Sequence, residues 1–115
     1  AHWAPNDLIF HSGKNWPARY KQGAFIVFHG SWNRMPFDQA GFKVVFVPLR
    51  EGRPLGTDEG SGWEVFADGF TGKEAIKSPS ESAYRPTGLA EGPDGALYVT
   101  EDMGGRIWRI TYVGK

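Results

Sequence analysis

Apolar residues in this chain come in short runs closed by glycine and proline, and the runs have the length of strands. Gly23–Phe28 reads GAFIVF and Phe42–Leu49 reads FKVVFVPL. Both are apolar at successive positions, so both faces of each strand require cover. Asp7–Phe10 and Trp63–Ala67 are shorter, the second alternating with Glu64 outward, and Pro5 marks the first as an edge. Pro86–Glu91, Ala96–Thr100 and Arg106–Val113 follow, separated by the turns Gly92-Pro93-Asp94-Gly95 and Asp102–Gly105. Glu51–Gly56, EGRPLG, reads as a turn. One helical turn is expected over Asn15–Tyr20, with Asn15 as cap and Pro17 in the first turn. The polar stretch Thr71–Ala83 reads as a mobile loop with a second helical turn at Lys73–Lys77.

The strands fall into two antiparallel groups: four within about residues 1–70 and three within 84–115. Strands apolar on both faces are satisfied when small sheets stack around a ring, and a β-sandwich would alternate more cleanly. The expectation is therefore all-β, with two β-propeller blades, the second lacking its outer strand. Trp63, Trp108, Phe25, Phe28, Phe46 and Phe66 are assigned to the core.

Composition sharpens this. At 115 residues the chain fits one domain, and its 16 glycines and 15% aromatics favour turns and strands over helices. A net charge of zero offers no basic stripe to nucleic acid. No run approaches the roughly 20 apolar residues of a membrane span. There are no cysteines, which removes disulfides and thiolate metal sites. The opening AHWAPND has no initiator Met, so the native start is expected elsewhere. Ser-His-Asp spacing, a P-loop and a dinucleotide glycine pattern are all missing.

Four motifs in order, FHGSWNR (28–34), RPTGLA (85–90), GPDGALYV (92–99) and GRIWRI (105–110), resemble the C-terminal part of the sorbosone and glucose dehydrogenase-like family. The likeness extends over nearly the whole chain apart from the loop 69–83. It implies a six-bladed propeller, of which this chain would supply the last two blades. It implies pyrroloquinoline quinone (PQQ) as cofactor, oxidation of a sugar or aldehyde-sugar, and a periplasmic or secreted protein. The family's general-base His and calcium site lie on earlier blades, so no catalytic residue and no metal ligand is assigned to this chain.

The positions that match the family's cofactor-holding role are His2, Arg34 and Arg85. PQQ carries three carboxylates and an ortho-quinone, and guanidinium groups fork onto carboxylates. For both arginines the competing reading is a surface ion pair. Lys43 is a rival to Arg34 but reads as a solvent-facing strand residue. His29 either orients Arg34 or a ligand, or is a hydrogen-bonded structural His at a strand end. Trp32 and Trp3 either stack on a sugar or the cofactor plane, or pack beneath loops. His11 reads as surface. Glu101 and Asp102 are too few oxygens for calcium.

Two blades would leave a cofactor in an open wedge. A second expectation is therefore a non-catalytic, stand-alone module that binds a small ligand or itself, through apolar side walls and the open edge at Arg106–Val113. A homo-oligomer follows from it: three copies for a six-blade ring, or an edge-paired dimer. A third expectation is one segment of a longer chain.

Overall fold

The computed structural model describes residues 2–114. Eight strands form in chain order: β1 (Pro5–Phe10), β2 (Gly23–Phe28), β3 (Lys43–Arg50), β4 (Arg53–Pro54), β5 (Glu64–Ala67), β6 (Pro86–Glu91), β7 (Leu97–Glu101) and β8 (Ile107–Ile110). Single 3-10 turns at Ala18–Lys21 and Pro79–Glu81 are the only helical elements among the described residues. The second turn lies beyond the expected Lys73–Lys77. The β3–β4 hairpin runs through the expected turn. Glu51 and Gly52 both take positive φ, as a two-residue hairpin demands, and this places Arg50 opposite Arg53.

All strand pairing is antiparallel. In a five-stranded sheet β1, β2 and β3 lie side by side, and β3 then pairs with β5 along its first half and β4 at its end. A separate three-stranded sheet runs β6-β7-β8. Register explains the core. Phe25 lies opposite Phe46 and Val27 opposite Val44, so the four share one face, and each is 0% exposed. Leu89, Leu97 and Val99 from the smaller sheet complete the same cluster. Trp16, Tyr20 and Phe66 collar Phe25, their ring centroids 6.0, 5.7 and 4.7 Å from its own.

This corrects the propeller expectation. The fold is all-β, with two open antiparallel sheets that share a core, and no closed ring of blades is formed. The physical reason lies on the other face of the large sheet, where Ile26, Phe28, Val45 and Val47 point away from the core. Trp3 and Trp63 fold over them from loops, pack edge to face 5.5 Å apart, and help to line a 220 Å³ apolar hollow. Apolarity on both strand faces here means loop tryptophans on one side and a second sheet on the other. Leu8 and Phe10, on the same outer face, stay 46% and 69% exposed.

Polar ties fasten the two sheets. Asp7 on β1 accepts the Leu89 N–H of β6 at 2.9 Å. At one end, residues 11–15 clasp the β6–β7 turn. Ser12 N donates to Glu91 at 2.7 Å, Lys14 Nζ to the Pro93 carbonyl at 2.6 Å and Asn15 to the Asp94 carbonyl at 2.9 Å. Gly95, at φ +85°, lies so close to Lys14 that a Cβ would fall 2.0 Å from the Lys14 oxygen. His11 belongs to this clasp and corrects its reading as surface. It is buried; its Nε2 donates to the Gly95 carbonyl at 2.7 Å while Nδ1 accepts from Gly13 N at 2.9 Å, which fixes a neutral tautomer. The loop 71–83 is also tied down rather than free. Ile76 is buried, and Ala83 N and Tyr84 N donate back to Thr71 and Phe70.

Phe25→Ala, at the centre of this cluster, is expected to cost about 3–5 kcal/mol. Leu8→Ala, on the exposed outer face, should cost under about 1 kcal/mol. Urea unfolding followed by tryptophan fluorescence measures both, and equal costs would contradict the placement of the core.

Candidate functional site

β2 ends at Phe28 and delivers the chain into His29–Arg34. The turn is held from several sides. His29 N and Gly30 N donate to the carbonyls of Ala4 and Trp3, both at 2.9 Å. Their own carbonyls accept from Arg85, Nε to His29 at 3.3 Å and Nη2 to Gly30 at 3.0 Å. The Arg85 guanidinium also lies 5.5 Å from the Phe42 ring centroid. Burial pushes the Arg85 pKa down, Asp102 opposes that shift, and the group remains a cation. Gly30, at φ +106°, lets Phe42 pack flat on the backbone, because a Cβ would meet that ring at 2.5 Å.

His29 itself reaches the smaller sheet. Its Nε2 lies 2.9 and 3.0 Å from the two carboxylate oxygens of Asp102. A carboxylate offers only acceptors, so Nε2 carries a proton. Beside it, the buried Glu101 carboxylate is caged by backbone amides: Met103 N at 2.8 Å, Gly104 N at 2.7 Å, Arg106 N at 2.9 Å and Arg85 N at 3.4 Å. Burial alone would push this carboxyl up, but the amides outweigh it and hold the pKa below the usual range.

Past Gly30 the chain forms a loop closed at its base. Ser31 N donates to the Ala40 carbonyl at 2.8 Å and Ala40 N to Ser31 Oγ at 2.8 Å. Ser31 Oγ donates to the Gln39 side-chain oxygen at 2.7 Å, and Gln39 Nε2 to the Lys77 carbonyl at 2.9 Å. Above this base, His2, Asn33, Arg34, Met35 and Phe37 line a depression of about 410 Å³.

Of the residues singled out from sequence, His2 and Arg34 meet in this depression, although far apart in the chain. Arg85 does not line it; it grips the backbone that leads to it. His29 faces Asp102. Trp32 is 70% exposed and does not line the depression. Trp3 is engaged on several sides, with Phe28 at 5.3 Å, Trp63 at 5.5 Å and Lys43 Nζ 4.9 Å from its ring. The residues not foreseen are Asp102, as the partner of His29, and Glu101, as an amide-caged anchor. The signal for Glu101 was local: a carboxylate at a strand end followed by Gly104-Gly105, a backbone able to curl its N–H groups onto an anion.

A family model described as TrAA12-like matches residues 1–113. A pyrroloquinoline quinone-dependent pyranose dehydrogenase of Coprinopsis cinerea is 29% identical over 118 residues, spanning 95% of this chain and 15% of that protein. An uncharacterized protein of Borreliella burgdorferi is 30% identical over 112 residues, spanning 97% of this chain and 27% of that one. Among solved structures, the calcium structure of the Trichoderma reesei Carbohydrate-Active Enzymes Family AA12 protein superposes with a TM-score of 0.71. It is 24% identical over 93% of this chain and 24% of its own, a likeness of fold alone. The chain thus spans about a quarter or less of the relatives it matches.

Glu101→Gln, which removes the caged charge, is expected to cost about 2 kcal/mol at neutral pH. The Glu101 carboxyl is held below its unfolded value, so its stabilisation is complete above the unfolded pKa near 4.3 and is lost as pH falls through the lower folded value. Urea midpoints against pH should therefore fall more steeply for the native chain than for Glu101→Gln below about pH 4.3. Parallel curves would refute the cage.

Proposed function

This chain belongs to the TrAA12-like family, and on that premise we propose that it forms part of the PQQ-binding wall of a sugar-oxidising quinoprotein, as a C-terminal segment of it. The observation that carries the reading is the convergence of His2 and Arg34 in one depression beside the strand end that the motif FHGSWNR builds.

The donor set fits the group. Arg34 and Asn33 offer N–H donors suited to carboxylates and quinone oxygens, and His2 adds an imidazole. Met35 and Phe37 supply the apolar flank that a planar ring system needs. Bound there, PQQ would supply a two-electron acceptor for oxidation of the sugar. The chain's own contribution is binding and orientation. Arg34 neutralises carboxylate charge. Arg85 holds the carbonyls of His29 and Gly30 and so fixes where the Asn33–Arg34 turn begins. His29, tied to Asp102, keeps the same backbone against the smaller sheet. Exposed Trp32 is available to a sugar ring at the rim. No base for the sugar hydroxyl proton is assigned to this chain. Calcium does not fit here: among the described residues no three His, Asp or Glu side chains converge, and the Glu101 oxygens are already taken by amides.

Titration with PQQ, followed by tryptophan fluorescence, is expected to show saturable quenching. Arg34→Ala should weaken binding by about tenfold or more, the loss of one charge-assisted contact. Arg34→Lys should recover part of it. Unchanged fluorescence at about 1 mM PQQ, far above any specific site's range, would overturn the reading, as would equal affinity for Arg34→Ala.

A further inference from the structure

The opposite end of the large sheet carries a second concave surface with its own chemistry. β2 runs from Gly23 at that end to Phe28 at the site, which separates the two by about 17 Å. The groove holds about 570 Å³ and lies between the Ala18–Lys21 turn, the end of β1 and the β3–β4 hairpin. Its apolar part comprises Phe10, Pro48, Leu49 and Leu55, with Phe10 and Leu55 69% and 50% exposed. Its rim is cationic. Lys21 and Arg50 line it, and Arg53 sits directly across the hairpin from Arg50.

Like charges placed directly opposite on paired strands are unfavourable. Two other exposed arginines are neutralised, Arg19 forking onto Glu64 at 2.7 and 2.9 Å and Arg109 meeting Asp94 at 2.5 Å, while exposed Arg106 lies 5.1 Å from the Tyr84 ring centroid. Among the described residues, Lys21, Arg50 and Arg53 enter no ion pair. Glu51, at the hairpin tip, is the one acidic residue of the lining; against it, Lys21, Arg50 and the neighbouring Arg53 leave an excess of two positive charges. In a chain of net charge zero this is a local concentration.

We infer that this groove docks an acidic peptide segment of a partner protein, with carboxylates on Arg50, Arg53 and Lys21 and a large apolar side chain seated against Phe10, Leu49 and Leu55. Guanidinium groups fork onto carboxylates. An apolar floor between the cations favours a peptide with an anchor side chain over a polyphosphate, and a concave surface is the wrong shape for a bilayer. The inference is independent of PQQ binding, because none of these residues lies at the candidate site.

The probe is a short fluorescein-labelled peptide alternating Glu and Leu, read by anisotropy against the intact chain, with a Lys/Leu peptide and phosphatidylserine vesicles as comparisons. Binding in the micromolar range is expected for the Glu/Leu peptide, weakening as salt rises toward about 0.15 M. Arg50→Glu/Arg53→Glu, on an exposed hairpin, should lower affinity about tenfold or more, while Leu55→Ser weakens it with the charge intact. Undetectable binding of the Glu/Leu peptide, equal binding of the Lys/Leu peptide, undiminished affinity in the double variant, or vesicle binding without peptide binding would each overturn the proposal. PQQ quenching should be unaltered in the double variant, so the two proposals fail separately.

Discussion

Everything about this molecule depends on two sheets burying one face each against the other. Phe25, Val27, Val44 and Phe46 present a continuous apolar face only because β2 and β3 pair in the register that sets Phe25 against Phe46. A slip of one residue would turn Ala24, Ile26 and Phe28 inward and strand the large rings outside. Leu89, Leu97 and Val99 supply the opposing face. Neither sheet alone covers its apolar residues, so cohesion between them is a condition for both.

The polar contacts specify how the sheets meet. Asp7 fixes β1 against β6 in mid-interface, the His11–Glu91 clasp closes one end, and Arg85 with Asp102 closes the other. Only the last of these touches the candidate site. Arg85 and Asp102 come from the small sheet, yet they hold His29 and Gly30 of the large one, from which the Asn33–Arg34 turn departs. The geometry of the depression is thus a product of sheet–sheet packing as much as of its own loop. Gly30 matters for the same reason, since it admits Phe42 beneath the turn on which Arg85 rests.

Much of this was legible in the chain. The long strands follow directly from apolar runs bounded by glycine and proline, and the strand end at His29 follows from a polar cluster after GAFIVF. What covered the outer face was not legible, because an apolar residue at Ile26 or Val45 reports only that water is excluded. It does not say whether a neighbouring sheet or a loop tryptophan excludes it. That ambiguity produced the propeller expectation, and Trp3 and Trp63 resolve it. His11 was misread for a related reason: a lone His beside a strand end has no periodicity to reveal that its Nε2 reaches the backbone of Gly95, 84 residues away, while Nδ1 is satisfied locally by Gly13. Asp102 was hidden because its partner lies in the other sheet, a contact that no spacing along the chain encodes.

The central claim is that the turn at His29–Gly30 is part of the sheet interface and not an independent loop. Native-state hydrogen exchange, read by NMR at single amides, tests it directly. The amides of His29 and Gly30, bonded to Ala4 and Trp3, should be as protected as those of Val27 and Val99 and should exchange only with global unfolding. Fast exchange at His29 and Gly30 while Val27 and Val99 stay protected would contradict the account.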